Sequence, residues 1–370
     1  MASDRIAYVY DPEYARVADR LPANLNRSSL VHGLVSAFGL LADPRVDVIK
    51  PPLAATSELK RFHSSDYVDF LCGLDERRSA TRDANEDTDS AGDDDSDGVS
   101  TAASSDEDGL LDITYSARIR RRARYGLEHV IFTRTTPDGF CYVNDIVLAT
   151  LAMRKAFDTI LIIDCDLHHH CGVEAAFQHS EKVFTLSFHR HAPGFFPGTG
   201  SCEAVGRGKG KFYCLNVPLQ TGLNDAHFHS VFRFTVDRVW DRFRPQAVVM
   251  QCGCDGMAQD PNREWNLTPA GLGAAVAAVK SRDVPTLFLG GGGYHHANAA
   301  RCNTYLTSLI CRSEPLDLHA EIPDHDYAGA YAPGHDLAVT AGNMQDENDP
   351  AYLEGVMAMV DQRLMHLEQD

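Results

Sequence analysis

Two aspartates and one histidine follow short apolar runs of the sequence. Carboxylate and imidazole side chains are common ligands of metal ions in proteins. Asp166 and His168 follow the apolar run at residues 160–163, and Asp255 follows the one at residues 247–251. Two residues apart in an extended segment, Asp166 and His168 point the same way. Two carboxylates and one imidazole leave coordination positions open, as in catalytic metal sites. Zn²⁺ is favoured, and Fe²⁺ or Mn²⁺ fit the same ligands. The alternative is that these are unrelated loop residues.

A third apolar run ends in four glycines and a tyrosine, Gly290 to Tyr294. Glycines let the backbone pass close to a ligand, and a tyrosine hydroxyl could hydrogen-bond a developing oxyanion. The glycines could instead cradle phosphate. The run from Gly206 to Lys211 also resembles a phosphate loop, but it lacks the Gly-Lys-Ser/Thr spacing, so a flexible turn is favoured.

Parallel strands with helical crossovers would bring these polar residues together. Four β-rich apolar runs are separated by segments long enough for helices, which predicts a mainly parallel sheet covered by helices. Ligands bind beyond the carboxyl ends of the strands in such sheets. The predicted strands are residues 159–163, 183–188, 247–251 and 286–289, with an earlier strand at residues 5–10.

Apolar residues at helical spacing predict two helices that pack against the core. Leu30, Leu34 and Phe38 recur every four residues. A second stripe near the C-terminus contains Leu353, Val356, Met357, Val360 and Leu364. We assign no chemistry to either stripe.

Composition excludes several classes of protein. Acids outnumber bases by 52 to 34, giving a formal net charge of −18, which speaks against a broadly basic nucleic-acid-binding surface. The longest apolar stretch, at residues 146–153, is too short to cross a bilayer. The ten cysteines include no Cys-x-x-Cys pair, which favours reduced, mostly buried thiols. Since no secretory-signal pattern opens the chain, we expect an intracellular protein.

Residues 75–137 differ in composition from the rest of the chain. From Asp75 to Asp108 the chain is mostly Asp, Ser, Ala, Gly and Thr with no aromatic residue, which predicts a disordered loop. Within it, residues 83–108 contain many acids and no lysine or arginine. A cluster of arginines follows between Arg118 and Arg124. The cluster could be a nuclear-import signal or an electrostatic counterweight to the acidic run.

Motifs along residues 5–75 and 138–368 resemble the zinc-dependent histone deacetylases of class I, and most nearly the subgroup numbered eight. The matching stretches are residues 10–14, 26–32, 62–67, 139–145, 164–169, 193–200, 266–269, 290–294 and 321–325. The resemblance implies one arginase-like α/β domain over residues 1–370, with an eight-stranded, mainly parallel sheet flanked by helices. Residues 75–137 are then an atypical, partly disordered insertion or a replaced segment.

The resemblance also implies roles for individual residues. Asp166, His168 and Asp255 correspond to the zinc ligands. Tyr294 and Asp164 correspond to catalytic residues, with Tyr294 polarising the acetyl carbonyl. The other implied positions are Gly139, Phe140 and Phe196 as substrate-binding tunnel walls alongside Tyr294, Arg27 as an internal-channel residue, and Asp164, Asp166, His168, Ser187 and Phe188 as a structural potassium site.

Several positions depart from the family pattern. Val130 and Ile131 stand where the family carries two proton-handling histidines, and Cys171 replaces the aspartate that orients the second. His129 lies one residue out of register and is at most a weak substitute for the missing base. His170 replaces a glycine, so it could face the metal as a substitute base or an extra ligand, or simply crowd the loop. Asn262 replaces a Leu or Met at the tunnel rim, and no substrate-gripping aspartate loop is recognisable between residues 74 and 137.

The resemblance therefore implies a metal-dependent protein lysine deacetylase, hydrolysing acetyl-lysine by metal-activated water. We expect impaired turnover, because a positioned acid/base contributes roughly 10²–10⁴-fold to a rate. Its expected partners are acetylated histone tails or other acetyl-lysine proteins, with no direct nucleic acid and no membrane, and its expected location is the nucleus or also the cytoplasm. A catalytically silent acetyl-lysine-binding homologue is the main alternative. A hydrolase of acetylated polyamines is a third, which the run at residues 193–200 argues against.

Overall fold

A computed structural model describes residues 5–73 and 141–367 of the chain. The described part has α/β architecture, with a parallel sheet flanked by helices. The described residues form seven strands: β1 (Ile6–Val9), β2 (Val46–Ile49), β3 (Ile160–Asp164), β4 (Val183–Arg190), β5 (Cys214–Leu219), β6 (Ala247–Cys252) and β7 (Thr286–Gly290).

Ten helices accompany the strands in the described residues. They are α1 (Pro12–Ala18), α2 (Arg27–Ala37), α3 (Thr56–Leu59), α4 (residues 65–73), α5 (Asp145–Met153), α6 (Cys171–Phe177), α7 (Asp225–Phe243), α8 (Pro269–Lys280), α9 (His296–Cys311) and α10 (Pro350–Leu364). Short 3₁₀ turns occur at Pro22–Asn24, Leu40–Ala42, Gly208–Gly210 and Ala328–Tyr331.

The described residues fall into two compact units. One contains residues 5–53 and 149–367, and the other contains residues 54–73 and 141–148. The larger unit holds both sheets. In the smaller unit, Tyr67 donates its hydroxyl to the Tyr142 carbonyl (2.6 Å), and His63 Nε2 accepts the Asn144 N–H (3.0 Å).

The five strands of the main sheet run parallel in the order β5-β4-β3-β6-β7. All five residues of β3 are buried, as expected where helices cover both faces of a parallel sheet. The fold class and the five predicted strands are confirmed. The strand count differs from the implied eight, since the main sheet of the described residues has five. The two short strands β1 and β2 pair with each other in a separate parallel sheet.

The core of the larger unit lies between this sheet and its helices. Phe184 and Phe188 of β4 are fully buried, as are Phe228 and Phe232 of α7. The rings of Phe188 and Phe232 lie 5.0 Å apart. Burial of such aromatic side chains fixes the sheet against α7 and so holds the strand ends in place.

Both predicted amphipathic helices are confirmed. Leu30 and Leu34 are buried in α2, and a stripe of four residues is buried in α10: Leu353, Val356, Val360 and Leu364. All ten cysteines are free and seven are buried, as the composition predicted. Among the described residues, no helix combines the length and apolar character needed to span a membrane. The predicted disordered loop and the arginine cluster lie outside the described residues.

Candidate metal centre

The order of the strands creates a crevice at one end of the main sheet. From β3 the chain continues to β4 and β5 on one side, and then returns to β6 on the other side of β3. Such a reversal is a topological switch point, where open α/β sheets bind their ligands. Asp166 and His168 follow β3, and Asp255 follows β6, so all three flank this point.

The structure brings Asp166, His168 and Asp255 into one cluster. One ligand atom from each lies within 4.8 Å of those from the other two. His168 Nδ1 is 2.8 Å from Asp255 Oδ2 and 3.4 Å from Asp166 Oδ1. Asp166 is 7% exposed and Asp255 is 1% exposed. The three side chains therefore have the donor types and proximity of a site for one divalent cation, with both carboxylates buried and the imidazole half-buried.

Backbone N–H groups hold the two carboxylates in place. Gly292 N–H donates to Asp166 Oδ2 (2.7 Å), and His168 N–H donates to Asp166 Oδ1 (3.0 Å). Leu167 N–H donates to Asp255 Oδ1 (2.9 Å). The side-chain amide of Gln251 donates a further hydrogen bond to Asp166 Oδ2 (3.3 Å). These donors orient the carboxylates before any ligand binds.

Glycines surround the carboxylates at distances that leave no space for a side chain. A Cβ at Gly253 would lie 2.5 Å from Asp166 Oδ2, and one at Gly292 would lie 2.3 Å from Asp255 Oδ2. The glycine run predicted to pass close to a ligand therefore packs against the side chains of the candidate metal ligands themselves. This enclosure fits a site whose donor atoms converge on a small ion.

Burial and mutual repulsion shape the charges of this cluster. Burial, followed by the negative charge of Asp166, raises the pKa of Asp255 to about 8. Burial disfavours a charged His168 imidazole, but hydrogen bonds with Asp166 and Asp255 outweigh it and raise the pKa of His168 to about 10. Buried carboxylates of this kind are paired or coordinate a metal.

Tyr294 lies beside the same carboxylates at the end of the glycine run. Burial raises the pKa of its hydroxyl above its ordinary value, and the charges of Asp255 and Asp166 raise it further. The hydroxyl therefore stays protonated at neutral pH and can donate a hydrogen bond. Its backbone N–H donates to Asp260 Oδ2 (2.7 Å), which fixes where the side chain begins. Arg27 donates to the neighbouring Gly293 carbonyl (2.9 Å).

Two phenylalanines form an aromatic wall next to His168. The Phe195 ring stacks on the imidazole, with centroids 5.4 Å apart and planes 3° apart. Phe196, which the sequence suggested as a tunnel wall, meets the imidazole edge-on at 5.8 Å and is 45% exposed. Phe195 was not predicted as a site residue, although it stands in the same Phe-Phe run.

Asp164 lies behind the cluster, at the buried end of β3. Its Oδ1 accepts the Asp166 N–H (2.8 Å), and its Oδ2 lies 3.1 Å from His170 Nδ1. Ser187, from the suggested potassium site, is paired in register with Asp164. Phe188 is the next residue of β4 and is fully buried. His170 is outside the three-residue ligand cluster.

Other residues singled out in the sequence are placed as follows. Gly139, Phe140, His129, Val130 and Ile131 lie outside the described residues. Cys171 is buried at the first position of α6. Asn262 donates its side-chain amide to Asp260 Oδ1 (2.9 Å). Asp260 is the same acid that accepts the Tyr294 N–H.

Asp260 and Gln251 support the site but were not predicted from the sequence. Gln251 is visible as a polar residue at the end of an apolar run. Asp260 has no spacing signal, because its contact with Tyr294 joins residues 34 positions apart.

Comparison with known proteins gives a family and a set of similar chains. The sequence model of the histone deacetylase domain family matches residues 21–310 of this chain. Histone deacetylase 8 of Xenopus tropicalis is 36% identical over 95% of this chain and 96% of its own length. Histone deacetylase 8 of Danio rerio is 37% identical over 96% of this chain and 94% of its own length. Histone deacetylase 2 of Oryza sativa subsp. japonica is 36% identical over 98% of this chain and 72% of its own length.

Proposed function

The chain belongs to the histone deacetylase family, and from this premise we propose that it hydrolyses acetyl-lysine at the Asp166–His168–Asp255 cluster. Membership makes it a lysine deacetylase, a hydrolase, by family. The observation that carries the site assignment is the convergence of three ligand atoms, from two buried carboxylates and one half-buried imidazole, within 4.8 Å at the switch point of the sheet.

The cluster is suited to Zn²⁺, and Fe²⁺ fits the same donors. A bound divalent ion would supply Lewis acidity toward the amide carbonyl and lower the pKa of a water molecule. The suggested potassium site has support from the register of Asp164 with Ser187. Potassium there would be structural, holding the ends of β3 and β4 together.

Tyr294 is proposed to stabilise the substrate carbonyl as negative charge develops on its oxygen. Its raised pKa keeps the hydroxyl protonated, so that it donates a hydrogen bond. Asp260 and Arg27 act on the backbone at Tyr294 and Gly293, and so limit movement of this side chain. Removal of one such donor typically costs about 10²–10³-fold in kcat.

The aromatic wall is proposed to receive the aliphatic stem of acetyl-lysine. Phe195 and Phe196 flank His168, so a stem lying along these rings would bring its amide carbonyl to the metal cluster. Neutral acetyl-lysine avoids the desolvation cost that a charged ammonium would incur. Gly139 and Phe140 are proposed as further walls. The proposed partners are acetylated histone tails or other acetylated proteins, and the proposed location is the nucleus or also the cytoplasm.

The proposed turnover is slow, because Val130 and Ile131 cannot accept a proton. We expect a rate about 10²–10⁴-fold below that of deacetylases with an intact pair of histidines. The absence of a proton acceptor at Val130 and Ile131 also favours a second candidate function, in which the protein binds acetyl-lysine without hydrolysing it.

Turnover and binding of a fluorogenic acetyl-lysine peptide, measured on the metal-loaded protein, distinguish the two functions. Slow turnover that Asp255→Ala abolishes would support the deacetylase. Metal-dependent peptide binding with no turnover would support the silent binder. A protein that neither binds nor hydrolyses the peptide when loaded with Zn²⁺ or Fe²⁺ would contradict both.

A further inference from the structure

His170 forms a buried pair with Asp164 at the back of the candidate metal centre. Nδ1 of the imidazole lies 3.1 Å from Asp164 Oδ2, and the two side chains are 4% and 1% exposed. Among residues 5–73 and 141–367, neither atom has a hydrogen-bond partner of its own elsewhere. Since an unpaired buried polar atom is costly, the 3.1 Å contact with each other is the interaction that these two atoms have to offset their burial.

The local backbone leaves the His170 side chain free for this pairing. His170 is the N-cap residue of α6, yet its imidazole makes no capping hydrogen bond to the helix. Only its backbone carbonyl serves the helix, accepting the N–H groups of Val173 and Glu174. The imidazole therefore turns back toward β3.

Asp164 connects this pair to the ligand cluster. While Oδ2 faces His170, Oδ1 accepts the Asp166 backbone N–H at 2.8 Å. That N–H belongs to the segment that presents both Asp166 and His168. The orientation of the Asp164 carboxylate therefore sets the path of the segment that carries two of the three ligands.

From these contacts we infer that His170 is a positioning residue for the metal centre, acting through Asp164. It holds the Asp164 carboxylate so that Oδ1 stays on the Asp166 N–H and the two following ligands keep their spacing. The sequence suggested a substitute base or an extra ligand at this position. The contact with Asp164 gives His170 a role in ligand geometry instead, and this inference rests on the proposed function of the cluster.

Replacing His170 with asparagine or with glutamine separates the contact with Asp164 from a general effect of losing the imidazole. Asparagine places its amide nitrogen as many bonds from the backbone as Nδ1, so His170→Asn can still reach Asp164. Glutamine places its nitrogen one bond further, where Nε2 lies. Loss of a partner behind a metal ligand typically weakens metal affinity about 10–100-fold. We therefore expect at least a tenfold loss of Co²⁺ affinity for His170→Gln and a loss of about threefold or less for His170→Asn.

Competition with a chromophoric chelator measures Co²⁺ affinity, and visible absorption of bound Co²⁺ reports ligand geometry. The absorption band should change in His170→Gln and match the wild type in His170→Asn. The double variant Asp164→Asn/His170→Gln should bind Co²⁺ no more weakly than the weaker single variant, because both changes break one connection. Far-UV circular dichroism of the metal-free variants checks folding.

Equal Co²⁺ affinity and an unchanged spectrum in both amide variants would overturn the inference while leaving the proposed function intact. Equal weakening by asparagine and glutamine, or additive losses in the double variant, would also overturn it. A wild-type protein that binds no Co²⁺ would remove the proposed metal centre itself, and the inference with it.

Discussion

Replacing Gly292 with alanine tests how tightly the backbone encloses the candidate metal ligands. A Cβ at this position would lie 2.3 Å from Asp255 Oδ2, 2.4 Å from Asp255 Cγ and 3.0 Å from Asp166 Oδ2. Ordinary van der Waals contact begins near 3.4 Å. The Asp255 carboxylate would therefore have to move by about 1 Å in a close-packed interior that has little room for it.

The displacement predicts a large functional effect from one methyl group. Misplacing a positioned group by about 1 Å costs roughly 10²-fold in rate. Since the methyl group touches two of the three ligands, we expect Gly292→Ala to weaken divalent-metal affinity by about 10–100-fold as well.

Gly290→Ala is the matched control, two residues away in the same glycine run. Among the residues that the structure describes, its new Cβ would come within 4 Å of Asn303 Oδ1 alone, at 3.9 Å. The assay is isothermal titration of each metal-free variant with Zn²⁺, with circular dichroism to verify the fold. Gly290→Ala should bind within about threefold of the wild type. Equal affinities for the two alanine variants would refute the enclosure of the ligands by this backbone.

Three further predictions concern Tyr294, the bound metal and the half-buried Glu174. Tyr294→Phe should lower kcat for an acetyl-lysine peptide by about 10²–10³-fold while metal affinity stays at the wild-type level; a parallel loss of metal affinity would contradict a role at the carbonyl. Saturation with Zn²⁺ at about 100 times its Kd should add about 2.7 kcal/mol to the free energy of unfolding, and a melting temperature that a chelator leaves unchanged would contradict it. Burial raises the pKa of Glu174, but hydrogen bonds with His169 and Asn216 outweigh it and lower the pKa to about 2, against an ordinary value of 4.5. Its contribution to the free energy of unfolding should be present above pH 4.5 and lost as the pH falls toward 2, and Glu174→Gln should flatten this part of the pH profile; equal profiles would contradict the assignment.

The main sheet was predictable where strands are buried on both faces. Runs such as the one that forms β3 are continuously apolar, and the polar residue after each run marks the strand end. β5 was missed because Asn216 and Pro218 interrupt its apolar pattern. At the edge of a sheet proline is tolerated, since its missing N–H need not pair with a neighbouring strand. β2 is only four residues long and gave no clear pattern.

The candidate site was predictable in its ligand types but not in its supporting contacts. Asp166 and His168 carry a local spacing signal, and Asp255 ends a recognisable strand. The contact of Asp260 with Tyr294 depends on how distant loops meet, which spacing does not encode. The same holds for the stacking of Phe195 on His168 and for the pairing of His170 with Asp164.

Metal content per chain, measured by native mass spectrometry after loading and desalting, tests the central claim most directly. The wild type should carry one divalent ion, since its three ligand atoms converge within 4.8 Å. Asp255→Ala should lose most of that ion, because a removed ligand leaves two donors where catalytic sites use three. A wild type without metal, or equal metal in both proteins, would contradict the assignment of Asp166, His168 and Asp255 as the ligands.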